Sequence, residues 1–492
     1  MKIKKALLFI PPAFTAKNGI DINPLPPLGL GYIAAVLESR DIDVKIYDCL
    51  IEGWDKREDI DNETIRIGSP VNEIERVIAE FQPDIVGVNN LFTKQRKNAH
   101  QIYEIAKQIN RAIVTVAGGA HPTAMPELAM EDKNVDFVVL GEGESIITDL
   151  ISCLEMEKDI NTLNGIAFRD NGNVKIIPRI DFIQDLDSIP FPARHLLNME
   201  KYFGLEFSHG KRRYRRFSPI ITSRGCPAKC IFCSAHKVWG RGYRSRSPEN
   251  VIQEMQQLRD RHGIEELLFE DDNVTLDVSR AERIFDLMTE EKFNFKWDTP
   301  NGVAAFALNE RLIDKMKQAG CYKLNFAIES GNQEVLNNLI KKPLNLKKVK
   351  PLIKYAKSIG LDVGIFLILG VPGETLSQMW DSFRFVKEVG IYNPFVSIAT
   401  PYPGSELYNL CLEKGYISKD YSLDNLHIKS FSISTENWTG EDIKKICQQS
   451  YFFLRREYYR SHPFLLFGKI IQKLFSNPIR LVKEIFSSIR IG

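Results

Sequence analysis

The sequence predicts an α/β protein: an N-terminal doubly wound parallel sheet, then a partial (β/α)6 barrel, then a helical C-terminal segment. Two observations carry this. Short apolar runs alternate with helix-period stretches over residues 1–155, and the same alternation restarts near residue 218. Strands separated by helices imply parallel βαβ units with both sheet faces covered. The 492-residue length leaves room for more than one core.

In the first domain, 1–155, the strand-like runs are ALLFI (6–10), VKIYD (44–48), DIVGVN (84–89), AIVTVAGG (112–119) and VDFVVLGEGE (135–144). Helical patterns LGYIAAVLES, VNEIERVIAEF, NAHQIYEIAKQIN and PTAMPELAME lie between them. Ligands of such sheets bind outside the carboxyl ends of the strands. Residues 156–205 read as a hairpin and linker. Asn171-Gly172 marks the hairpin turn, and the prolines of LDSIPFPARHLL suit an extended connection.

The barrel, 206–430, has strands expected at 219–224, 266–270, 294–299, 323–329, 362–369 and 394–400. Its helices are expected at 248–261, 279–291, 309–318, 332–340, 346–358 and 375–388. Barrel enzymes keep their chemistry at the C-terminal strand ends. Residues 431–492 form the helical end. From Tyr451 this end mixes aromatics with eight Lys/Arg against two Glu. That composition suits a cap on the barrel, or an amphipathic helix in peripheral contact with a membrane or lipid-like substrate.

Composition is that of a soluble protein, with 44% hydrophobic and 26% charged residues. A net charge of +2 gives no argument for a nucleic-acid partner. No apolar run reaches membrane-spanning length. MKIKKALLFIPPAF is stopped by Pro11 and Pro12 without a cleavage signal, so it reads as a first strand. Five of the eight cysteines are scattered, which fits a reducing cytoplasm.

The other three, Cys226, Cys230 and Cys233, fall within eight positions of TSRGCPAKCIFCSAH. Thiolates suit zinc or an iron–sulfur cluster. Structural zinc takes four ligands, so on spacing alone His236 is open as a fourth. The run TSRGCPAKCIFC, with Phe232 before the third cysteine, resembles the cluster loop of the radical S-adenosylmethionine (SAM) enzymes. The resemblance implies a 4Fe-4S cluster on the three cysteines, with SAM chelated to its open iron and cleaved to a 5′-deoxyadenosyl radical.

Other runs extend the resemblance. FEDDNVTLD (269–277) places Glu270, Asp271 and Asp272 where the family meets the SAM amino group; an acidic turn with a helix cap is the plainer alternative. FAIESGNQEVLNNLIKK (326–342) places Glu329 and Ser330 near the SAM ribose, with Gly331 permitting a tight turn. GIFLILGVPGET (364–375), including Gly370, resembles the fifth strand along the adenosine, and ATPYPGSELY (399–408) the end of the sixth.

The N-terminal domain resembles that of radical SAM enzymes with a cobalamin-binding domain. PPLGLGYIAAVLE, DIVGVNNLFT, VAGGAHPT, VDFVVLGEGE and LDSIPFPAR carry this likeness. It implies cobalamin near Asn89, Gly118, Gly119, Gly141, Glu142 and Gly143. The usual cobalamin loop D-x-H-x-x-G is absent after the first strand, and Asn89 stands where a small hydroxyl residue is usual. His121 follows the glycine pair and reads as a cap or surface residue.

The implied reaction is methylation of an unactivated carbon: one SAM methylates cobalamin, and a second supplies the radical. A non-methylating cyclisation or rearrangement uses the same domains, and a non-enzymatic corrinoid-binding protein is a third reading. A methylthiotransferase would need a second cysteine triad, and this N-terminal domain has only Cys49 and Cys153. An external electron donor such as flavodoxin or ferredoxin is implied. The substrate, small or lipid-like, is not legible. Neither is a catalytic residue beyond the cluster cysteines. The basic stretch HGKRRYRRF (209–217) reads as a loop before the barrel.

Overall fold

A computed structural model describes residues 2–17, 22–205, 212–418, 421–426 and 431–465. The first sheet contains β1 (Lys5–Ile10), β2 (Asp43–Asp48), β3 (Ile85–Asn89), β4 (Val114–Gly118), β5 (Phe137–Val139), β6 (Ile166–Asp170) and β7 (Asn173–Ile177). Its order is β7-β6-β5-β4-β3-β1-β2. The first five strands run parallel. The hairpin β6–β7 joins antiparallel at the β5 edge. The expected hairpin is therefore part of this sheet.

Strand order reverses between β1 and β3, the switch point where such folds take ligands. Helices α1 (Leu28–Glu38) and α4 (Gly143–Met156) pack together. So do α2 (Val71–Phe81) and α3 (Arg96–Ile109). Separate apolar cores flank the sheet, one around Leu8, Val44 and Leu150, the other around Leu7, Val86 and Ile102.

Two features depart from the expected elements. VDFVVLGEGE is not one strand: β5 stops at Val139, and Gly143 opens α4. Ala13–Ala16, Arg57–Asp59 and Thr64–Ile67 form a small antiparallel sheet where only loop was expected.

The second sheet is fully parallel in chain order: β8 (Phe217–Ile220), β9 (Glu266–Phe269), β10 (Lys296–Asp298), β11 (Cys321–Glu329), β12 (Asp362–Leu369) and β13 (Phe395–Ile398). No pairing joins β13 back to β8 among the described residues, so it is a partial barrel. Its core centres on Trp297, which stacks on Phe285 at 5.0 Å and lies against Phe269.

Helices α5 (Pro248–His262), α6 (Val278–Glu290), α7 (Glu310–Gln318), α8 (Leu346–Ser358) and α9 (Leu376–Glu388) follow their strands. Local sequence ends them. Ser247 caps α5, Pro248 takes its first position, and Gly263 closes it in the left-handed region. Thr375 and Gln378 form a capping box on α9. The helix expected at 332–340 is instead a π-helix over Val335–Ile340.

The C-terminal helix α10 (Gly440–Ser461) packs on α9 through its apolar face, with Ile443, Ile446 and Leu454 buried. This is the cap arrangement, although Tyr451 and Phe452 stay exposed. The rest of the basic-aromatic tail, 466–492, lies outside the described residues, as do residues 209–211 of the basic stretch. Three of its four described arginines stack on aromatics: Arg212 on Phe217, Arg213 on Tyr322 and Arg216 on Phe203. No described helix is long and apolar enough to cross a membrane.

Candidate active site

Just after β8, Ser223–Arg224 pairs antiparallel with Arg244–Ser245 and forms the stem of the cysteine loop. Gly225 turns the chain at φ +85°, and a Cβ there would lie 2.2 Å from the Gly242 carbonyl oxygen. Only glycine fits. Ile231, at the loop centre, is buried and tied on both sides. Its N–H donates to the Ile340 carbonyl (3.0 Å), and its carbonyl accepts from the Leu407 N–H (2.8 Å). Phe232 packs against the barrel core. The loop is thus rigid before any ligand arrives.

The three thiols are free and half-buried. Burial pushes Cys230 up to about 12 and Cys233 to about 11, and raises Cys226 as well. Thiols so placed ionise only with a cation on the sulfur. Among the described residues, no three His, Cys, Asp or Glu side chains are grouped closely enough to hold a single ion. A four-iron cluster takes one thiolate on each of three irons, and the three cysteines of this one loop can supply them. The donor set fits the cluster.

The acidic run after β9 divides. Asp271 is buried and accepts from the Thr222 N–H, the Thr222 hydroxyl (2.7 Å) and the Ser223 hydroxyl (2.6 Å). It was expected at the SAM amino group; in this structure its oxygens are engaged in bracing the loop stem. Glu270 accepts from Asn301 at 3.0 Å. Asp272 is the member that faces the cysteines. Its charge raises Cys226 and Cys233, and its Oδ2 is buried without a hydrogen-bond partner. Burial, then the Asp271 charge, pushes it up to about 6.

At the end of β11 the strained residue is Glu329, a non-glycine at φ +68° beside a register shift. Its carboxylate accepts from Lys342 Nζ at 2.8 Å, both side chains being buried. Lys342 also lies close enough to Cys226 and Cys230 to lower their pKa. Ser330 is fully buried and accepts from the Asn332 N–H. Gly331 is not needed for a left-handed turn. A Cβ there would meet the Asp381 carbonyl oxygen of α9 at 2.5 Å, so close packing explains it.

Gly370 does adopt φ +81°, and a Cβ would press on Ile443 of α10. Beside it Glu374 is fully buried. Its Oε2 accepts from the Gly370 and Val371 N–H groups, its Oε1 has no partner, and burial pushes it up to about 8.

In the first domain, Asn89, Gly118 and Gly119 meet at the ends of β3 and β4. Gly119 has φ +103°, and its Cβ would meet Asn89 Oδ1 at 2.4 Å. A Cβ on Gly118 would meet nothing within 4 Å, which leaves open space at the strand end. Asn90 Oδ1 and His121 Nε2 are buried here without partners. His121 is 2% exposed, so it is neither a surface residue nor a cap. Its Nδ1 pairs with the Thr93 hydroxyl at 3.2 Å, and burial pushes its pKa down to about 4. Open space beside orphaned polar atoms at a switch-point edge fits a large polar cofactor such as cobalamin.

The turn Gly141–Gly143 behaves differently. A Cβ on Gly141 would meet the Val238 carbonyl oxygen, and one on Gly143 the Ile33 side chain. Glu142 is fully buried, and both its oxygens accept from Arg244, with Arg224 and the Ile183 N–H adding to them. It was expected near cobalamin; in this structure its carboxylate is engaged at the junction between the two halves.

The junction also brings the two strand-end regions together. The short helix Ala120–Ala124, which follows Gly119, contacts the short helix Ala235–Trp239, which follows Cys233. Sequence reading missed Lys342, Arg224 and Arg244. The two arginines are paired with carboxylates 82 and 102 residues away, and Lys342 with Glu329 13 residues before it.

Residues 220–386 match the radical SAM superfamily, and residues 23–151 match the B12 binding domain. The chain is 36% identical to the cytidylyl-2-hydroxyethylphosphonate methyltransferase of Streptomyces wedmorensis, over 90% of this chain and 89% of that one. It belongs to the cobalamin-binding radical SAM family. An uncharacterized methyltransferase of Pyrococcus horikoshii is 32% identical over 98% of this chain and 99% of its own. The cobalamin-dependent radical enzyme OxsB, solved with aqua-cobalamin and SAM bound, shares the fold at a TM-score of 0.71 and 17% identity. That match covers 99% of this chain and 71% of OxsB. Membership makes this a radical SAM enzyme whose cofactors are a 4Fe-4S cluster, SAM and cobalamin.

Proposed function

We propose that the chain is a methyltransferase that places a methyl group on an unactivated carbon of a small molecule, in the cleft where the two sheets' carboxyl ends meet. The observation that carries this is the contact between the helix after Gly119 and the helix after Cys233. It sets the corrinoid-side and cluster-side strand ends against each other. When bound, the cluster, SAM and cobalamin supply the carbon radical and the methyl group.

The protein's part is positioning. Cys226, Cys230 and Cys233 hold the cluster in a loop pinned at Ile231. Asp272, with its spare oxygen, accepts from the SAM ammonium. Lys342, steadied by Glu329, neutralises negative charge beside the cysteines. Ser330 keeps the turn after Glu329. Asn89, Gly118 and Gly119 shape the corrinoid edge. Glu374 and Gly370 hold the turn after β12 under α10. An external one-electron donor of the flavodoxin or ferredoxin class completes the system.

Methylation is favoured over cyclisation because the relatives at 36% and 32% identity are both methyltransferases by name. The first acceptor to try is cytidylyl-2-hydroxyethylphosphonate. The test is product analysis of the anaerobically reconstituted, cobalamin-loaded protein with a reductant. S-adenosylhomocysteine and 5′-deoxyadenosine forming together support methylation; 5′-deoxyadenosine alone overturns it.

A further inference from the structure

The stem of the cysteine loop hangs from the N-terminal domain through a buried ionic cluster. Arg224, two residues before Cys226, forks between two carboxylates. Its Nη1 donates to Glu142 (3.0 Å), and its Nη2 to Glu144 (2.6 Å). Arg244, on the strand paired with Arg224, donates from Nη1 to both Glu142 oxygens (2.8 and 2.9 Å) and to the Ile183 carbonyl (2.6 Å). Its Nη2 donates to the Trp239 carbonyl (2.8 Å). The Arg224 guanidinium also lies 5.0 Å from the Trp239 ring centre and 5.3 Å from that of Tyr32 on α1.

The four side chains are no more than 8% exposed. A third buried arginine, Arg179, lies 4.0 Å from the Glu142 carboxylate and donates to its backbone carbonyl, so three positive groups surround two negative ones. Both carboxylates sit at the start of α4, where the helix dipole favours negative charge. The chain entering the cysteine loop (224) and the chain leaving it (239 and 244) are thus fastened to one two-carboxylate knob on the other domain.

We infer that Arg224, with Glu142 and Glu144, is a positioning clamp that fixes the cysteine loop relative to the corrinoid-side strand ends, so that radical formation and methyl delivery meet at one carbon. This rests on the methyltransferase reading above. A buried ion pair is weak support for stability, because desolvation offsets the attraction. Holding a geometry is the better-attested use of such a group. A bidentate fork fixes orientation as well as distance, which a lysine ammonium cannot reproduce. Displacing reacting groups by about 1 Å costs about a hundredfold in rate.

The test compares Arg224→Lys and Glu144→Gln with Glu254→Gln. Glu254 is equally buried, is held by Arg194 (2.7 Å) and by Arg246, and shares no ion pair with Glu142 or Glu144. Two readouts are taken. The first is the yield of 5′-deoxyadenosine per S-adenosylhomocysteine in the reconstituted enzyme. The second is amide hydrogen exchange of 139–145 and 225–240 in the protein as purified.

The clamp variants are expected to retain iron and still form 5′-deoxyadenosine. Their 5′-deoxyadenosine per S-adenosylhomocysteine should rise severalfold, with faster exchange in both segments together. Glu254→Gln should lower the unfolding midpoint and leave ratio and exchange at wild-type values. An unchanged ratio with a lower midpoint would reduce the clamp to an ordinary structural pair. If the wild type makes no S-adenosylhomocysteine, the methyltransferase reading fails. The clamp is then judged on exchange, where unchanged protection of 225–240 in Arg224→Lys overturns it.

Discussion

Gly225, Lys342 and Glu374 show how single residues hold the site. Gly225 has both a left-handed φ and a carbonyl where its Cβ would go. The φ alone costs an L-residue about 1–2 kcal/mol, and the clash adds to that. Gly225→Ala is expected to lower the iron retained after reconstitution, read as iron per chain. Lys342→Met would leave the Glu329 charge buried and alone, at a cost of about 3–5 kcal/mol. Thermal or urea unfolding should show that loss, and adding Glu329→Leu should recover most of it.

Glu374 gives a pH signature. Its folded pKa, about 8, lies above the ordinary value of 4.5. The native chain therefore binds more protons than the unfolded chain between those values. The stability this group contributes is full below the window and is lost as pH rises through it. Glu374→Gln should flatten that decline, measured as the urea midpoint of variant and wild type across the window. The cysteine triad was legible because its spacing is local. The ion pairs of Glu142 were not legible because its partners Arg224 and Arg244 lie 82 and 102 residues away.

Among elements, long periodic helices read well: Val71–Phe81 and Leu346–Ser358 match the sequence pattern residue for residue. The strand Asp362–Leu369 does too. Elements fixed by tertiary contact did not. GEGE continues an apolar run and reads as strand, yet it turns into α4, where its acids meet arginines from the other domain. The π-helix Val335–Ile340 carries an ordinary helical pattern, and nothing local marks its extra residue per turn. Gly331 illustrates element packing. Gly331→Ala would put a methyl against the α9 backbone, which cannot give way as a side-chain tip can. We expect a lowered unfolding midpoint, with α9 showing the largest gain in amide exchange.

At the scale of the whole molecule, the parallel strands of two sheets present their carboxyl ends to a shared junction. Beyond the Glu142 cluster, the junction includes Asp424 bridged to Arg96 and Lys97 across more than 300 residues of chain. Fold class and cofactor set followed from strand-end motifs in order. The junction did not, because it is written in charged residues that look solvated until the domains meet. The central claim is that one chain holds both an iron–sulfur cluster and a corrinoid. The most direct test is metal content per chain after anaerobic purification from cobalamin-fed cells and iron–sulfide reconstitution. About four irons and about one cobalt per chain are expected. Four irons without cobalt would leave the radical SAM barrel standing and contradict the cobalamin half of the claim.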